Sequence, residues 1–315
     1  MTADQIAETA ESYRYSRLTA MSRDDVQAIV RRGPHEAAGL AEAAAKLGIV
    51  DAQLTWAQML LRGLGTQQDP EAAFRWFTIA AGTKRPDTLN MLGRCHELGW
   101  GTAINYAEAA RLYREAAAQG YDWALFNLAT LLFAGAGVEQ SFREALALYV
   151  RAARKGHGKA MTVVGRFREE GWAASKKPTA ALRWYARGAA RGDCRADYRL
   201  AQLKLLAGER EAGLFHLEKA VDGAFPEFCR SIAPVLLADK DEDVRSLGRR
   251  AAKRASEIGH VSDLQNHEEQ LSQKVQPPEI GHEISQAAPS ESPRLSVPDT
   301  SILRRLSRVL FPIRD

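Results

Sequence analysis

The fold is decided by residues 121–156, which read YDWALFNLATLLFAGAGVEQSFREALALYVRAARKG. Apolar side chains recur at helical spacing in both halves of this stretch, and the glycines at 135 and 137 separate the halves. The pattern predicts one helix over about 121–134 and a second over about 142–155. Glycine after the first helix predicts a left-handed residue that ends it. The stretch therefore predicts a pair of helices joined by a tight turn.

The same unit returns every 36 residues along the chain. The first turn glycine recurs as Gly63, Gly99, Gly135 and Gly171, and an aromatic column recurs as Phe77, Tyr113, Tyr149 and Tyr185. A second glycine follows two residues later in three copies, with Ala173 in the fourth. One helix pair cannot bury its own apolar face, so each pair must pack on the next. The sequence predicts an all-α solenoid of tandem helix pairs.

The repeat pattern also sets the predicted domain boundaries. Four clear copies cover residues 49–192, and two degenerate copies extend the solenoid to residue 259. In the last copy, Pro234 and the acidic run that follows it break the pattern before a final basic helix. The remaining predicted segments are a helical extension over 1–23 and cap helices over 24–48.

The residues after 259 have a different composition. Six of the twelve prolines follow residue 260, and residues 260–300 carry seven acidic and two basic side chains. This composition predicts a disordered, flexible linker over 260–298. Residues 299–315 then predict a basic amphipathic segment whose apolar face carries Ile302, Leu303, Leu306, Val309 and Leu310. That face suits a partner protein, an anionic membrane surface or the chain's own solenoid, and the sequence leaves all three open.

Two repeated words carry a resemblance to a known family. They are Ala73-x-x-Trp76-Phe77-x-x-Ala80-Ala81 and Ala181-x-x-Trp184-Tyr185-x-x-x-Ala189-x-x-Gly192, each preceded by the glycine turn. Together they resemble the Sel-one-like repeat, a relative of the tetratricopeptide repeat. The resemblance implies a right-handed α-solenoid that acts as a scaffold or adaptor for protein partners, often in bacterial signalling. It also offers an alternative, an enzyme of the branch linked to penicillin binding.

Charge and cysteine content restrict the other function classes. The net charge of +4 is mild for 315 residues, and no basic run interleaved with aromatic residues suggests nucleic-acid binding. Cys95, Cys194 and Cys229 are widely spaced, which favours buried thiols in a reducing compartment over disulfides or metal ligands. No apolar leader and no run of 18 apolar residues is present, so we expect a cytoplasmic protein.

The search for chemistry predicts a protein that is not an enzyme. The seven histidines form no pair at i and i+4, and no G-x-S-x-G nucleophile motif occurs. We therefore expect no catalytic residues, no metal site, no cofactor and no small-molecule substrate.

A partner site is expected on the first helix of each pair, which usually lines the concave face of such a solenoid. Polar and aromatic side chains recur there in two columns, with Asn127 beside them. The columns read Gln58, Arg94, Thr130, Arg166 and Gln202, and Leu54, Asn90, Phe126, Thr162 and Tyr198. We hypothesise that a carboxylate-bearing peptide docks on these residues, with Arg94 and Arg166 as charge-assisted donors. The terminal segment adds Ile302, Leu303, Leu306 and Leu310 as a second candidate contact.

Overall fold

A computed structural model describes residues 21–173 and 175–257, in which the side chains of the first and last helical residues, 23 and 257, are not described. This part of the chain contains fourteen helices and no strand. In order, the helices are α1 (Arg23–Arg32), α2 (Pro34–Lys46), α3 (Val50–Arg62), α4 (Pro70–Ala81), α5 (Pro86–Leu98), α6 (Tyr106–Ala118), α7 (Asp122–Ala134), α8 (Phe142–Arg154), α9 (Gly158–Glu170), α10 (Pro178–Ala190), α11 (Cys194–Leu206), α12 (Arg210–Gly223), α13 (Pro226–Leu237) and α14 (Glu242–Glu257). The all-α prediction is confirmed for these residues.

Several predictions lie outside the described residues. They concern most of the extension over 1–23, the linker over 260–298 and the amphipathic segment over 299–315, including Ile302, Leu303, Leu306 and Leu310.

The described helices form two compact units. Unit 1 contains α1–α5, and unit 2 contains α6–α14. Within each unit, successive helices pack on one another, as a stack of helix pairs requires, except that α12 packs on α11 and α14 rather than on α13. None of the helices in residues 21–173 and 175–257 is long and apolar enough to cross a membrane.

The predicted helix pair forms almost at its predicted bounds, since α7 covers 122–134 and α8 covers 142–154. Gly135 ends α7 in the left-handed conformation, with φ of 68°. Ser141 caps α8, because its hydroxyl accepts a hydrogen bond from the amide of Glu144 at 3.2 Å. Local turn and cap chemistry therefore fix where each helix of the pair stops and starts.

The positions of the glycine columns adopt positive φ even where another residue replaces glycine. Among the described residues other than glycine, positive φ occurs only at Lys84, with φ of 54°, and Ala173, with φ of 57°. Both residues occupy glycine columns of the 36-residue lattice. The packing of neighbouring repeats thus requires this turn geometry strongly enough to impose it on residues that disfavour it.

The core consists of small alanines and large aromatics in register. Tyr113, Tyr185 and Phe77 are fully buried, and so are Ala73 and Ala109. Small side chains let successive helices approach closely, and the aromatic rings fill the space that remains between them.

All three cysteines are buried free thiols, as the sequence predicts. Burial raises the pKa of Cys95 and of Cys194 to about 12, so neither forms a thiolate near neutral pH. They pack as small apolar residues.

The degenerate repeats also form helix pairs, α11–α12 and α13–α14. The inner turn of the first pair contains only residues 207–209, whereas the turn between α7 and α8 contains residues 135–141. Pro234 interrupts the repeat pattern of the sequence, yet α13 continues through it to Leu237. Pro234 lies in the last turn of α13, where its missing amide donor removes only one helical hydrogen bond.

Candidate partner-binding site

Unit 2 contains a cavity of about 600 Å³. Its walls come from α7, α9, α11 and α13, which are the first helices of four successive pairs. Tyrosines from the second helices α8 and α10 reach into it. Because each repeat places its first helix on the same side of the stack, equivalent positions of neighbouring repeats meet at this surface. We call it the unit-2 cavity.

The floor of the unit-2 cavity is aromatic. The Phe126 ring packs edge-on against Tyr149 with centroids 5.5 Å apart, and Tyr198 meets Phe228 in the same way at 5.7 Å. Phe126, Tyr149 and Phe228 are buried, while Tyr198 is half-buried. These contacts give the cavity a rigid apolar base on which a ligand side chain can pack.

Thr130 of α7 hydrogen-bonds to Tyr149 of α8 beneath the floor of the cavity. Its hydroxyl oxygen lies 3.0 Å from the Tyr149 hydroxyl and donates to the Phe126 carbonyl at 3.1 Å. The tyrosine hydroxyl therefore has a partner inside the protein, and its ring is held in place.

One wall carries an internal ion pair. The Glu169 carboxylate accepts two hydrogen bonds from the Arg199 guanidinium, one of them from Nε at 3.0 Å, and a third from the Tyr185 hydroxyl at 2.6 Å. Arg199 also donates to the Gln202 side chain at 2.9 Å. Such a bidentate pair fixes both side chains. The charge of Glu169 is thus neutralised within the wall by Arg199.

The electrostatics of this wall follow from its contacts. Burial disfavours ionisation of Glu169, but the hydrogen bonds from Arg199 and Tyr185 outweigh it and hold the pKa of Glu169 below its usual value. Burial and the same carboxylate raise the pKa of the Tyr185 hydroxyl. The wall therefore contains a carboxylate, a neutral phenol and a guanidinium at neutral pH.

The depressed pKa of Glu169 predicts a pH dependence of stability. A carboxyl whose pKa is lower in the folded state stabilises the protein above its unfolded pKa, about 4.5, and loses that contribution as the pH falls through the folded pKa. We expect Glu169→Gln to destabilise unit 2 at pH 7, and the difference from wild type to shrink below pH 4.5. Urea denaturation of both proteins at several pH values measures it. A difference that is constant with pH would contradict the assigned ion pair.

The rim carries cations that lie on aromatic rings. The Arg166 guanidinium is 5.1 Å from the Trp172 ring centroid, and the Arg195 guanidinium is 5.0 Å from that of Phe225. Arg166 is exposed, and its stacking leaves the N–H edge of the guanidinium available to a ligand. The rim is therefore suited to hold an anionic group above the aromatic floor.

The net positive charge of the described chain lies in unit 2. Unit 1, over residues 21–105, carries nine basic and nine acidic side chains, whereas residues 106–257 carry 26 basic and 19 acidic ones. Residues 151–199 alone carry 13 basic against four acidic side chains. The near-neutral total hides a positive region over residues 151–199, which favours anionic ligands. The cavity lining itself carries four basic side chains, Lys159, Arg166, Arg195 and Arg199, and three acidic ones, Glu169, Glu170 and Asp193.

The structure brings together part of the predicted partner site. Phe126, Thr130, Arg166 and Tyr198 line the unit-2 cavity, as does Thr162 from the same columns. Gln202 joins the wall through its bond to Arg199, and Asn127 is buried beside the lining rather than in it.

The other predicted side chains belong to unit 1 and are not part of this cavity. Gln58 is half-buried, Asn90 is buried, and the Arg94 guanidinium lies 4.8 Å from the Trp100 ring centroid. Their role in partner binding stays a prediction.

Sequence reasoning missed lining residues that lie one helical turn from the predicted columns. Lys159, Arg195 and Ser231 form a further column at the 36-residue spacing, and so do Val163 and Arg199. Extending each column by three or four residues along the same helix face would have found them. Among the described residues, no group of three His, Cys, Asp or Glu side chains is arranged to hold a metal ion.

Comparison with a solved Sel1 repeat protein supports the fold. The chain is 23% identical to a Sel1 repeat protein from Oxalobacter formigenes, with a TM-score of 0.62 over 74% of this chain and 99% of that one. It is 16% identical to the immunity protein Pa5087 from Pseudomonas aeruginosa, with a TM-score of 0.49 over 65% of this chain and 80% of that one.

The family model of the Sel1 repeat matches the chain in four successive segments. The matched segments are residues 41–81, 86–121, 124–157 and 158–193. The helix pairs α11–α12 and α13–α14 continue the same architecture beyond the matched residues. Residues 41–193 thus contain four Sel1 repeats, and the fold is that of a solved Sel1 repeat protein.

Proposed function

We propose that this chain is a non-enzymatic scaffold or regulatory adaptor that holds an acidic segment of a partner protein in the unit-2 cavity. Sel1 repeat proteins generally mediate protein–protein interaction. The observation that supports the specific proposal is the arrangement of a rigid aromatic floor beneath the exposed Arg166.

The cavity suits a peptide because its parts are already fixed. The floor rings pack on one another, and the Glu169–Arg199 pair holds one wall. Side chains that are already fixed lose little conformational entropy when a ligand binds, so less of the binding free energy is spent on ordering the site. We expect the partner to place apolar side chains on the floor and a carboxylate against the rim.

We propose that the chain binds its partner in the cytoplasm. Cys95, Cys194 and Cys229 are free thiols, which suits a reducing compartment. Fractionation of cells that produce the chain, followed by immunoblotting of each fraction, tests this assignment.

Selection from a random peptide library tests the function without a known partner. Peptides displayed on phage are selected against the full chain and depleted against the same chain carrying Arg166→Glu. We expect enriched sequences that combine Asp or Glu with aromatic or aliphatic residues. Failure to enrich any sequence, or enrichment of basic sequences, would contradict the proposed partner chemistry.

A charge reversal at Arg166 should weaken binding of a selected acidic peptide by tenfold or more. Loss of a charge-assisted hydrogen bond, together with the new repulsion, corresponds to at least about 1.4 kcal/mol. Arg187→Glu is the matched control, because Arg187 is also exposed and lies 5.0 Å from the Trp184 ring without lining the cavity. Equal affinities of the two variants, measured by fluorescence anisotropy, would remove Arg166 from the site.

A further inference from the structure

We propose that the unit-2 cavity also binds the chain's own residues 258–271, and that this segment competes with the partner. The inference rests on the proposed function and adds a mode of regulation to the same site. Residues 258–271 read IGHVSDLQNHEEQL and follow directly after α14. They carry three acidic side chains and no lysine or arginine. The stretch therefore combines acidic and apolar side chains, as we propose for the partner segment.

The folded chain ends beside the cavity. Helix α14 packs on α13, and the Arg230 guanidinium donates to the carbonyl of Ala255 at 3.4 Å. Ser231, the next residue along α13, lines the cavity together with Phe228. The segment that follows residue 257 thus starts next to the α13 wall of the site.

The distance to the rim is within reach of this segment. Glu268 lies eleven residues after Glu257, the last residue of α14, and a random-coil chain of that length spans on the order of 20 Å, or about 37 Å when extended. Lys159 and Arg166 lie on α9, two first helices away from α13, which is about 20 Å at the usual interaxial distance between packed helices. The first acidic side chains after α14 can therefore meet the rim.

The charges on the two sides are complementary. The cavity is built mainly from the part of the chain with 13 basic and four acidic side chains, residues 151–199. Three acidic residues line the cavity: Glu169 is bound by Arg199 and Tyr185, Asp193 accepts a hydrogen bond from the Thr162 hydroxyl, and Glu170 is exposed. Asp263, Glu268 and Glu269 would face Lys159 and Arg166 at the rim. The apolar Val261 and Leu264 between them suit the aromatic floor.

Tethering makes even a weak interaction effective. A short flexible linker gives an effective concentration in the millimolar range, so an intrinsic Kd of about 0.1–0.5 mM fills roughly two thirds to nine tenths of the cavities. The partner's apparent affinity falls in proportion to the fraction of cavities that remain open. We expect removal of the segment's charge to strengthen partner binding by about threefold to tenfold.

Zero-length cross-linking of the full chain tests the contact itself. A water-soluble carbodiimide condenses a lysine amine with a nearby carboxylate, and mass spectrometry identifies the joined peptides. We expect Lys159 to link to Asp263, Glu268 or Glu269 in protein of monomer mass, and Lys159→Arg to abolish this product. The proposal is overturned if Lys159 forms no such link, or if the link occurs only at dimer mass, which would assign the segment to a second copy.

Competition tests the regulatory consequence. The probe is an acidic peptide from the library selection, and its Kd is measured for the wild-type full chain and two variants. The test variant carries Asp263→Asn, Glu268→Gln and Glu269→Gln, and the control carries Glu279→Gln, Glu283→Gln and Glu291→Gln farther along the chain. We expect a threefold to tenfold lower Kd for the test variant and little change for the control.

The outcomes separate the two proposals. Equal peptide affinity for wild type and the test variant overturns the competition and leaves the partner site intact. Equal gains in both variants also overturn it, because the effect would then come from overall charge. If no selected peptide binds any of the three proteins, the proposed function fails, and the competition fails with it.

Discussion

Replacing Gly137 by alanine is expected to lower the free energy of unfolding by about 3 kcal/mol, whereas the same change at Gly208 is expected to cost about 1 kcal/mol. Both glycines have positive φ, 66° at Gly137 and 79° at Gly208. Alanine is therefore strained at both positions, and the conformational cost is similar.

The two sites differ in the space around them. A Cβ atom added at Gly137 would collide with the backbone of Tyr106 and Ala107, at the start of α6, and would lie 2.6 Å from the Tyr106 Cβ. Backbone cannot rotate away as a flexible side chain can, so the packing of one repeat on the next must shift. At Gly208 nothing lies within 4 Å of the added atom.

Chemical denaturation followed by circular dichroism measures both variants, and hydrogen exchange locates the effect. Because repeats contact only their neighbours, we expect faster amide exchange mainly in α6–α8 of the Gly137 variant. If both variants lose the same stability, close repeat packing at this glycine column is not a source of stability.

Tyr185→Ala is expected to destabilise unit 2 by about 3–5 kcal/mol. The Tyr185 side chain is fully buried and packs so closely on α9 that a Cβ at Gly165 would lie 2.6 Å from its ring. Its removal leaves a large cavity and also takes one hydrogen-bond donor from Glu169. Equilibrium denaturation measures the loss.

Tyr185→Phe separates the ring from the hydroxyl. It keeps the packing and removes only the 2.6 Å hydrogen bond to Glu169, so we expect a loss of about 1–2 kcal/mol. Similar losses for the Ala and Phe variants would show that the hydrogen bond, not ring packing, dominates at this position.

The repeat architecture could be predicted from the sequence because its signals are local. Gly63, Gly99, Gly135 and Gly171 end their helices through their own backbone conformation, which is readable from residue type and spacing. The effect of Pro234 on its own helix could not be predicted, because it depends on position, and only the structure shows that this proline lies in the last turn of α13.

The candidate site was predicted less completely because it depends on contacts between repeats. Arg166 and Tyr198 follow from the 36-residue columns. The pairing of Glu169 with Arg199 joins side chains 30 residues apart, a spacing set by how α9 and α11 face each other. The net charge of the whole chain also concealed the positive charge of unit 2, because it includes the neutral residues 21–105 and the acidic residues 260–300.

Site-specific photo-cross-linking tests the partner site most directly. A benzophenone amino acid replaces Val163, which lines the unit-2 cavity, or Leu182, an exposed residue of α10 that does not line it. With a selected acidic peptide, we expect strong cross-linking from position 163, its loss when Arg166→Glu is added, and little from position 182. Equal yields from the two positions, or a yield from position 182 alone, would show that the unit-2 cavity is not where the partner binds.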